Sequence, residues 1–215
     1  MIVNDRITDY LHSLESSQGE LLDSIEKEAV DGYVPIIRRE TASLLRTLTA
    51  SLKPERILEI GTAVGYSALL MCQVMPKACH ITTIEKYEKR ISVARENICK
   101  AGEEGRITLL EGDANELLKE LEGEAFDLVF MDAAKGQYLH WLPLILKLMP
   151  VGGVLISDNV LQNGDIVESR FAVKRRNRTI HSRMRQYLYT LKHMEELETA
   201  VIPIGDGITI STKIK

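Results

Sequence analysis

Several familiar signatures are missing from these 215 residues. The three cysteines, Cys72, Cys79 and Cys99, are odd in number and show no CxxC spacing. That argues against a disulfide frame or a zinc site and predicts reduced core thiols in a cytoplasmic protein. No apolar run approaches the length of a membrane span. The stretch MIVNDRITDYLHSLESSQGE is charged from Asp5 onward and lacks the apolar core of a secretory signal. Histidines 12, 80, 140, 181 and 193 form no HExxH or other paired spacing, which disfavours a histidine-bound metal. No GxSxG elbow or Cys/His nucleophile arrangement occurs. Neither an internal repeat nor a low-complexity tract is present.

What is there is an ordinary soluble balance, 45% apolar and 27% charged, in a chain long enough for one full core. The expectation is a single domain over 1–215, with N-terminal helices in 1–50 and an α/β core in 54–215. The net charge of −4 conceals an asymmetry. Seven basic residues and no acid fall between Arg170 and Arg185, which leaves 20 Lys and Arg against 31 Asp and Glu elsewhere.

Residues 1–50 read as helical with a break around Asp31–Pro35, and Leu44, Leu45 and Leu48 share a helical face. Apolar strands at Arg56–Ile60, Ile81–Ile84, Ile107–Leu110, Phe126–Met131 and Val154–Ser157 then alternate with helical stretches. Those stretches are Gly65–Val74, Tyr87–Ala101, Ala114–Leu121 and Gln137–Leu148. Continuously apolar strands alternating with helices indicate a parallel sheet covered on both faces. A last helical face (Ile180, Met184, Tyr187, Leu188, Leu191, Met194) precedes AVIPIGDGITISTKI, which reads as two strands around Gly205-Asp206-Gly207. The predicted fold is a doubly wound, Rossmann-like sheet of seven strands: five parallel strands closed by a C-terminal antiparallel hairpin.

In such sheets ligands bind beyond the carboxyl ends of the strands. RILEIGTAVGYSALL puts Glu59, Gly61 and Gly65 at the first strand-to-helix turn, where glycines let the backbone approach a ligand. The spacing is GxxxG, not the GxGxxG of dinucleotide binders. Glu59 would repel a pyrophosphate yet suits the cationic amino-acid end of S-adenosylmethionine (SAM). Glu85 closes the second strand, where an acid can accept from both ribose hydroxyls, and Asp113 and Ala114 follow the third, placed to flank an adenine.

The motifs EIGTAVGYS, IEK, EGDA, MDAAK, SDN and PIGDG, in that order, resemble the cation-dependent class I methyltransferases of the catechol and caffeoyl-CoA O-methyltransferase type. The similarity runs from about Val34 to the C-terminus. Within that family, VPIIRRET, the basic stretch and RTIHSRMR are similar to bacterial tRNA 5-hydroxyuridine methyltransferases. By this resemblance Ile37, Glu59, Gly61, Ser67, Glu85, Asp113, Ala114 and Asp132 line a SAM pocket.

VFMDAAKGQY and VLISDNV both run from an apolar strand into oxygen donors. Parallel fourth and fifth strands bring Asp132, Asp158 and Asn159 to one sheet edge. Two carboxylates and an amide suit Mg²⁺, Mn²⁺ or Ca²⁺ rather than Zn²⁺. Taken singly, Asp132 also reads as a helix cap and Asp158-Asn159 as a turn; two such ends beside a SAM turn favour the metal, and the family carries its metal on the matching positions. Lys135 alone reads as a surface lysine, but the matching DxxK lysine of the family takes the acceptor's proton. Asp206 matches a substrate-side acid of plant relatives and equally reads as a plain turn.

A metal site of this kind demands two neighbouring oxygens on the acceptor, which catechols and 5-hydroxyuridine both offer. Arg175, Arg176 and Arg178 are candidate phosphate contacts, with Tyr187 and Tyr189 nearby. The expected activity is SAM- and Mg²⁺-dependent O-methylation of 5-hydroxyuridine in the anticodon region of tRNA, at the wobble position, giving 5-methoxyuridine. The alternative acceptor is a small catechol-like or caffeoyl-CoA-like molecule. A non-catalytic RNA-binding module is the third reading, disfavoured by the intact Asp132, Lys135, Asp158 and Asn159 set. The resemblance further implies a homodimer formed through the N-terminal helices, and no membrane partner is expected.

Overall fold

The computed structural model describes residues 3–215; Met1 and Ile2, at the head of the expected helical stretch 1–50, lie outside the described residues. Three helices come first: α1 (Asp5–Leu14), α2 (Glu20–Asp31) and α3 (Arg39–Leu52). The alternating part follows as β1 (Arg56–Ile60), α4 (Tyr66–Cys72), β2 (His80–Glu85), α5 (Glu88–Ala101), β3 (Ile107–Glu111) and α6 (Ala114–Glu120). It continues through β4 (Leu128–Met131), α7 (Tyr138–Lys147), β5 (Val154–Ser157), α8 (Arg178–His193), β6 (Leu197–Ile202) and β7 (Ile208–Lys213). The seven strands lie in the order β3-β2-β1-β4-β5-β7-β6. β1 to β5 run parallel, and β7 is antiparallel to both β5 and β6.

The continuous apolar strands are explained by burial on both faces. In β4, Leu128 and Phe130 point into a core shared with Leu22 and Ile25 of α2, Leu45 of α3 and all of α4 except Ser67. Val129 and Met131 point the other way, onto Leu118 of α6, Leu142 and Ile145 of α7 and Met184 of α8. Each such side chain withdrawn from water stabilises the fold by about 1.5–3 kcal/mol.

Boundaries depart from the sequence reading where capping or a loop bond intervenes. The N-terminal stretch breaks twice, the extra break falling between Glu15 and Gly19, whose φ is +101°. β4 begins at Leu128, because the Phe126 N–H is given to Leu148 O (2.8 Å) ahead of the ladder. Ile180, in the first turn of α8, is 37% exposed and lies off the buried stripe of Met184, Tyr187 and Leu191. Cys72 and Cys79 are buried free thiols, but Cys99 is exposed, so it is not a core residue. Among the described residues no helix is long and apolar enough to cross a membrane.

Register decides where the chemistry lies. Ile60 pairs with Ile84 on one side and Met131 on the other, and Met131 pairs with Ser157. The next residues of these four strands are therefore Gly61, Glu85, Asp132 and Asp158, in one row along the carboxyl edge. The order of the strands reverses between β1 and β4, which is the binding crevice of a doubly wound sheet.

Candidate active site

The glycine turn exists because two strand ends nearly touch. Gly61 has φ +106°, and a Cβ there would lie 2.1 Å from Asp132 O. Only glycine tolerates both the backbone angle and that approach. The turn is tied to β2: Gly61 N and Thr62 N donate to Ile84 O at 3.0 and 3.2 Å. Ala63 N donates to Glu85 Oε2 (2.9 Å), while Glu85 Oε1 accepts from Lys86 N (3.0 Å) and Tyr87 N (2.9 Å). Three backbone donors take most of the roughly four acceptor positions of a carboxylate. Glu85 is thus held rigidly at the crevice with room for a further donor.

Glu59 lies under the turn with no exposed surface. Ser67 Oγ donates to its Oε1 and Thr83 Oγ1 to its Oε2, both at 2.5 Å. Since Thr83 spends its proton there, Thr62 is the donor in the 2.6 Å contact between the two threonine hydroxyls. Burial pushes the Glu59 carboxyl from 4.5 up to about 7 against the pull of these hydroxyls, with the Asp132 and Glu85 charges adding to the rise. Its oxygens are committed to Ser67 and Thr83, so in this structure it supports the turn from beneath.

At the neighbouring strand end, Asp113 caps α6 by accepting from Asn115 N (2.9 Å) and also accepts from Asn115 Nδ2 (2.6 Å). The Asn115 backbone N–H, foremost, holds its carboxyl below the usual 3.8. Asn115 Oδ1 accepts from Trp141 Nε1 (2.8 Å), which ties this corner to α7. Ala114 is buried beside it. Ile37 lies between α2 and α3 and is buried in the core that contains α4.

Across the crevice, Asp132 N donates to Ile60 O and Asp158 N to Met131 O, each at 3.0 Å. Both carboxyls are pushed above the usual 3.8, by burial first. Asp132 raises Asp158 further, Asp206 raises both, and the charge of Lys135 opposes the rise in each. Asp132, Lys135, Asp158 and Asp206 therefore share one electrostatic neighbourhood. Asn159 follows Asp158 with φ +58°, and its N–H donates to Asp158 Oδ1 (2.6 Å). Among the described residues no three His, Cys, Asp or Glu side chains form a metal-binding group. The oxygen set here consists of two carboxylates with Asn159 beside them.

The fully buried Tyr138 hydroxyl accepts from Ala133 N (3.2 Å) and shares its proton between Met131 O and Asp158 O, both at 3.2 Å. It fastens the ends of β4 and β5 together, directly behind the two acids. Asp206 is held from the other side. Arg38 Nη2 lies 2.7 Å from Asp206 Oδ1 as a charge contact, since that oxygen has no aligned donor, and donates to Asn163 Oδ1 at 2.9 Å.

Residues 12–214 match the sequence profile of the O-methyltransferase family. The chain belongs to that family. It is similar to the caffeoyl-CoA O-methyltransferase of Populus kitakamiensis, 29% identical over 186 residues that cover 84% of this chain and 78% of the relative. It is also similar to the catechol O-methyltransferase of Niastella koreensis, 27% identical over 169 residues and 76% of each chain. Among solved structures, the SAH-bound methyltransferase PaMTH1 of Podospora anserina superposes with a TM-score of 0.86 at 28% identity, covering 98% of this chain and 95% of that one.

Beside this methyltransferase crevice, α8 brings the basic stretch against the lysine turn: Arg183 Nη1 donates to Gly136 O (3.0 Å), next to Lys135. The arginines differ in what they do. Arg178 donates to Val173 O (3.2 Å) and Phe171 O (3.1 Å), and Arg185 to Ile166 O (3.0 Å), so both brace the loop that precedes α8. Arg175 and Arg176 stand exposed. None of the ion pairs among the described residues involves Arg170, Lys174, Arg175 or Arg176. The two tyrosines expected near a ligand differ: Tyr187 is fully buried against Ser157 (2.6 Å), whereas Tyr189 stacks on His193 at 3.9 Å and remains exposed. Sequence reasoning missed Tyr138, Arg38 and Asn163. Tyr138 stood in the quoted VFMDAAKGQY, but only the fold shows its hydroxyl reaching β5.

Proposed function

We propose that this protein is a SAM- and divalent-cation-dependent O-methyltransferase acting on the 5-hydroxyl of 5-hydroxyuridine in the anticodon region of tRNA, giving 5-methoxyuridine at the wobble position. The chemistry rests on Lys135 standing beside the buried Asp132 and Asp158 pair across the crevice from the glycine turn. The family supports O-methyl transfer, and the crevice fits SAM: Glu85 faces the ribose position, the Asp113–Asn115–Trp141 corner the base, and the Gly61–Gly65 turn the amino-acid end. Like charges buried together are costly, and an all-oxygen set with no His or Cys is what a hard dication relieves. Asp132, Asp158 and Asn159 would hold it.

When bound, SAM would supply an electrophilic methyl group on its sulfonium, and a dication held by the acids would lower the pKa of an acceptor hydroxyl. Lys135, in its neutral amine form, would receive the hydroxyl proton at Nζ as the oxygen forms its bond to the methyl carbon and the carbon–sulfur bond breaks, the pair returning to sulfur to leave S-adenosylhomocysteine. Tyr138 keeps the two acids at fixed separation, and the Arg38–Asp206 contact holds the hairpin turn over the acceptor side. Positioning of this kind supplies much of an enzyme's effect.

The acceptor is inferred from the exposed, acid-free cations at 170 and 174–176, which suit RNA phosphates. A second reading, a small catechol-like or caffeoyl-CoA-like acceptor, is favoured by the similarity to catechol and caffeoyl-CoA O-methyltransferases. The same proposal places the protein in the cytoplasm as a homodimer. The exposed stripe of Ile7 (53%), Tyr10 (62%), Leu11 (42%) and Leu14 (61%) on α1 supports the dimer. The test incubates protein and SAM with 5-hydroxyuridine-containing tRNA or with a catechol, in Mg²⁺ or in EDTA. Mass spectrometry of digested nucleosides should show 5-methoxyuridine with Mg²⁺ alone. A methylated catechol with untouched tRNA refutes the tRNA reading and selects the second.

A further inference from the structure

The loop between β5 and α8 is built to hold one aromatic ring outward. Val173 is buried at 5%, and Ala172 N and Val173 N donate to Ser169 O at 2.9 and 3.3 Å, so the loop has an anchored inner side. Phe171, two residues earlier, is 81% exposed. Its backbone is bonded at both polar groups: Phe171 N donates to Ser169 Oγ (3.3 Å), and Phe171 O accepts from Arg178 Nη2. The Arg178 guanidinium also lies 5.7 Å from the centre of the ring. A ring held out by a backbone bonded on both sides is already ordered, which lowers the entropy cost of a ligand that stacks on it.

What surrounds the ring limits the ligand. Arg170 and Lys174–Arg176 flank it, exposed and without ion-pair partners among the described residues. Position matters as well. Arg178, which holds Phe171, and Arg183, which bonds Gly136 beside Lys135, are separated on α8 by about 7.5 Å of axial rise. An aromatic face among uncompensated cations near a catalytic lysine matches single-stranded RNA, whose unpaired bases are read by stacking and whose phosphates are held by Arg and Lys. We infer that Phe171 is the stacking platform for an unpaired base adjacent to the target nucleotide, with Arg170, Lys174, Arg175 and Arg176 holding the adjoining phosphates. The inference rests on the tRNA reading proposed above and adds to it a residue that the sequence did not single out.

The test uses the full chain and a synthetic anticodon stem-loop RNA carrying 5-hydroxyuridine, with affinity read by fluorescence anisotropy and turnover by methyl incorporation. Phe171→Ala should raise KM and Kd for this RNA by about tenfold, the scale of one lost base stack, and leave kcat within about twofold. Phe171→Trp should restore both. An abasic residue at one of the positions flanking the target should weaken wild-type binding and abolish the difference between wild type and Phe171→Ala. The platform is overturned if Phe171→Ala binds and methylates like wild type, if Trp does not rescue, or if the Ala loss is unchanged by abasic sites at both flanks. It is overturned too if light scattering shows that Phe171→Ala changes oligomeric mass but not RNA affinity, since the ring then belongs to a protein contact. If wild type neither binds nor methylates the RNA, the tRNA reading itself falls, a result distinct from failure of the Phe171 variants alone.

Discussion

Replacing Glu59 by glutamine should make the protein more stable at pH 8 and leave it no more stable at low pH. Glu59 is fully enclosed, and its carboxyl is raised from 4.5 to about 7, mainly by burial. A folded-state pKa above the unfolded value means the folded state binds the proton more tightly. That contribution is fully present below about pH 4.5, is lost as pH rises through about 7, and is flat beyond. A shift of this size corresponds to about 3 kcal/mol. Glutamine keeps the shape, accepts from one of the two hydroxyls and donates to the other once that hydroxyl turns, and carries no charge. Urea unfolding of both proteins in metal-free buffer, at steps from about pH 5 to about pH 8.5, measures the effect. The difference in unfolding free energy cancels the contribution of every other titrating group that the substitution leaves unchanged. It should move toward the variant by a few kcal/mol across that range. A difference flat with pH, or one that increasingly favours wild type as pH rises, would falsify the reasoning, because it would mean the hydroxyls and not burial set the Glu59 equilibrium.

Two further substitutions probe the crevice from other sides. Gly61→Ala should cost several kcal/mol, since the new Cβ meets Asp132 O at 2.1 Å and φ is +106°. Gly65→Ala, with φ +84° and nothing nearer than 3.7 Å, should cost only the backbone strain of about 1–2 kcal/mol; equal melting temperatures for the two variants would refute the close-approach account. Asp158→Asn should abolish stabilisation by Mg²⁺: saturating metal should raise the wild-type Tm by several degrees, the effect of about 2.7 kcal/mol at a hundredfold excess over Kd, and leave the variant unmoved. A variant that shifts like wild type would place the cation elsewhere.

The Phe–Met run of β4 and the strand–helix alternation were enough to specify a doubly wound sheet. Period, strand length and turn chemistry are local properties, and a strand covered on both faces must be apolar throughout. Gly61, Glu85, Asp132 and Asp158 were equally visible as the residues following apolar strands, and parallel pairing then obliges them to share an edge. What one dimension could not carry was which of them face a ligand and which are spent within the protein. Glu59 turns inward onto Ser67 and Thr83, and Arg178 bends back onto the loop it follows. Tyr187, read as an aromatic near RNA, is a core residue on Ser157, while Phe171, unremarked in the sequence, stands in solvent. Tyr138 and Arg38 gain their places from contacts 20 and 168 residues away along the chain, to Asp158 and Asp206. Hydrogen bonds and ion pairs over such separations depend on the relative placement of whole elements. That placement follows from the packing of two cores, so it was decided only by the tertiary structure.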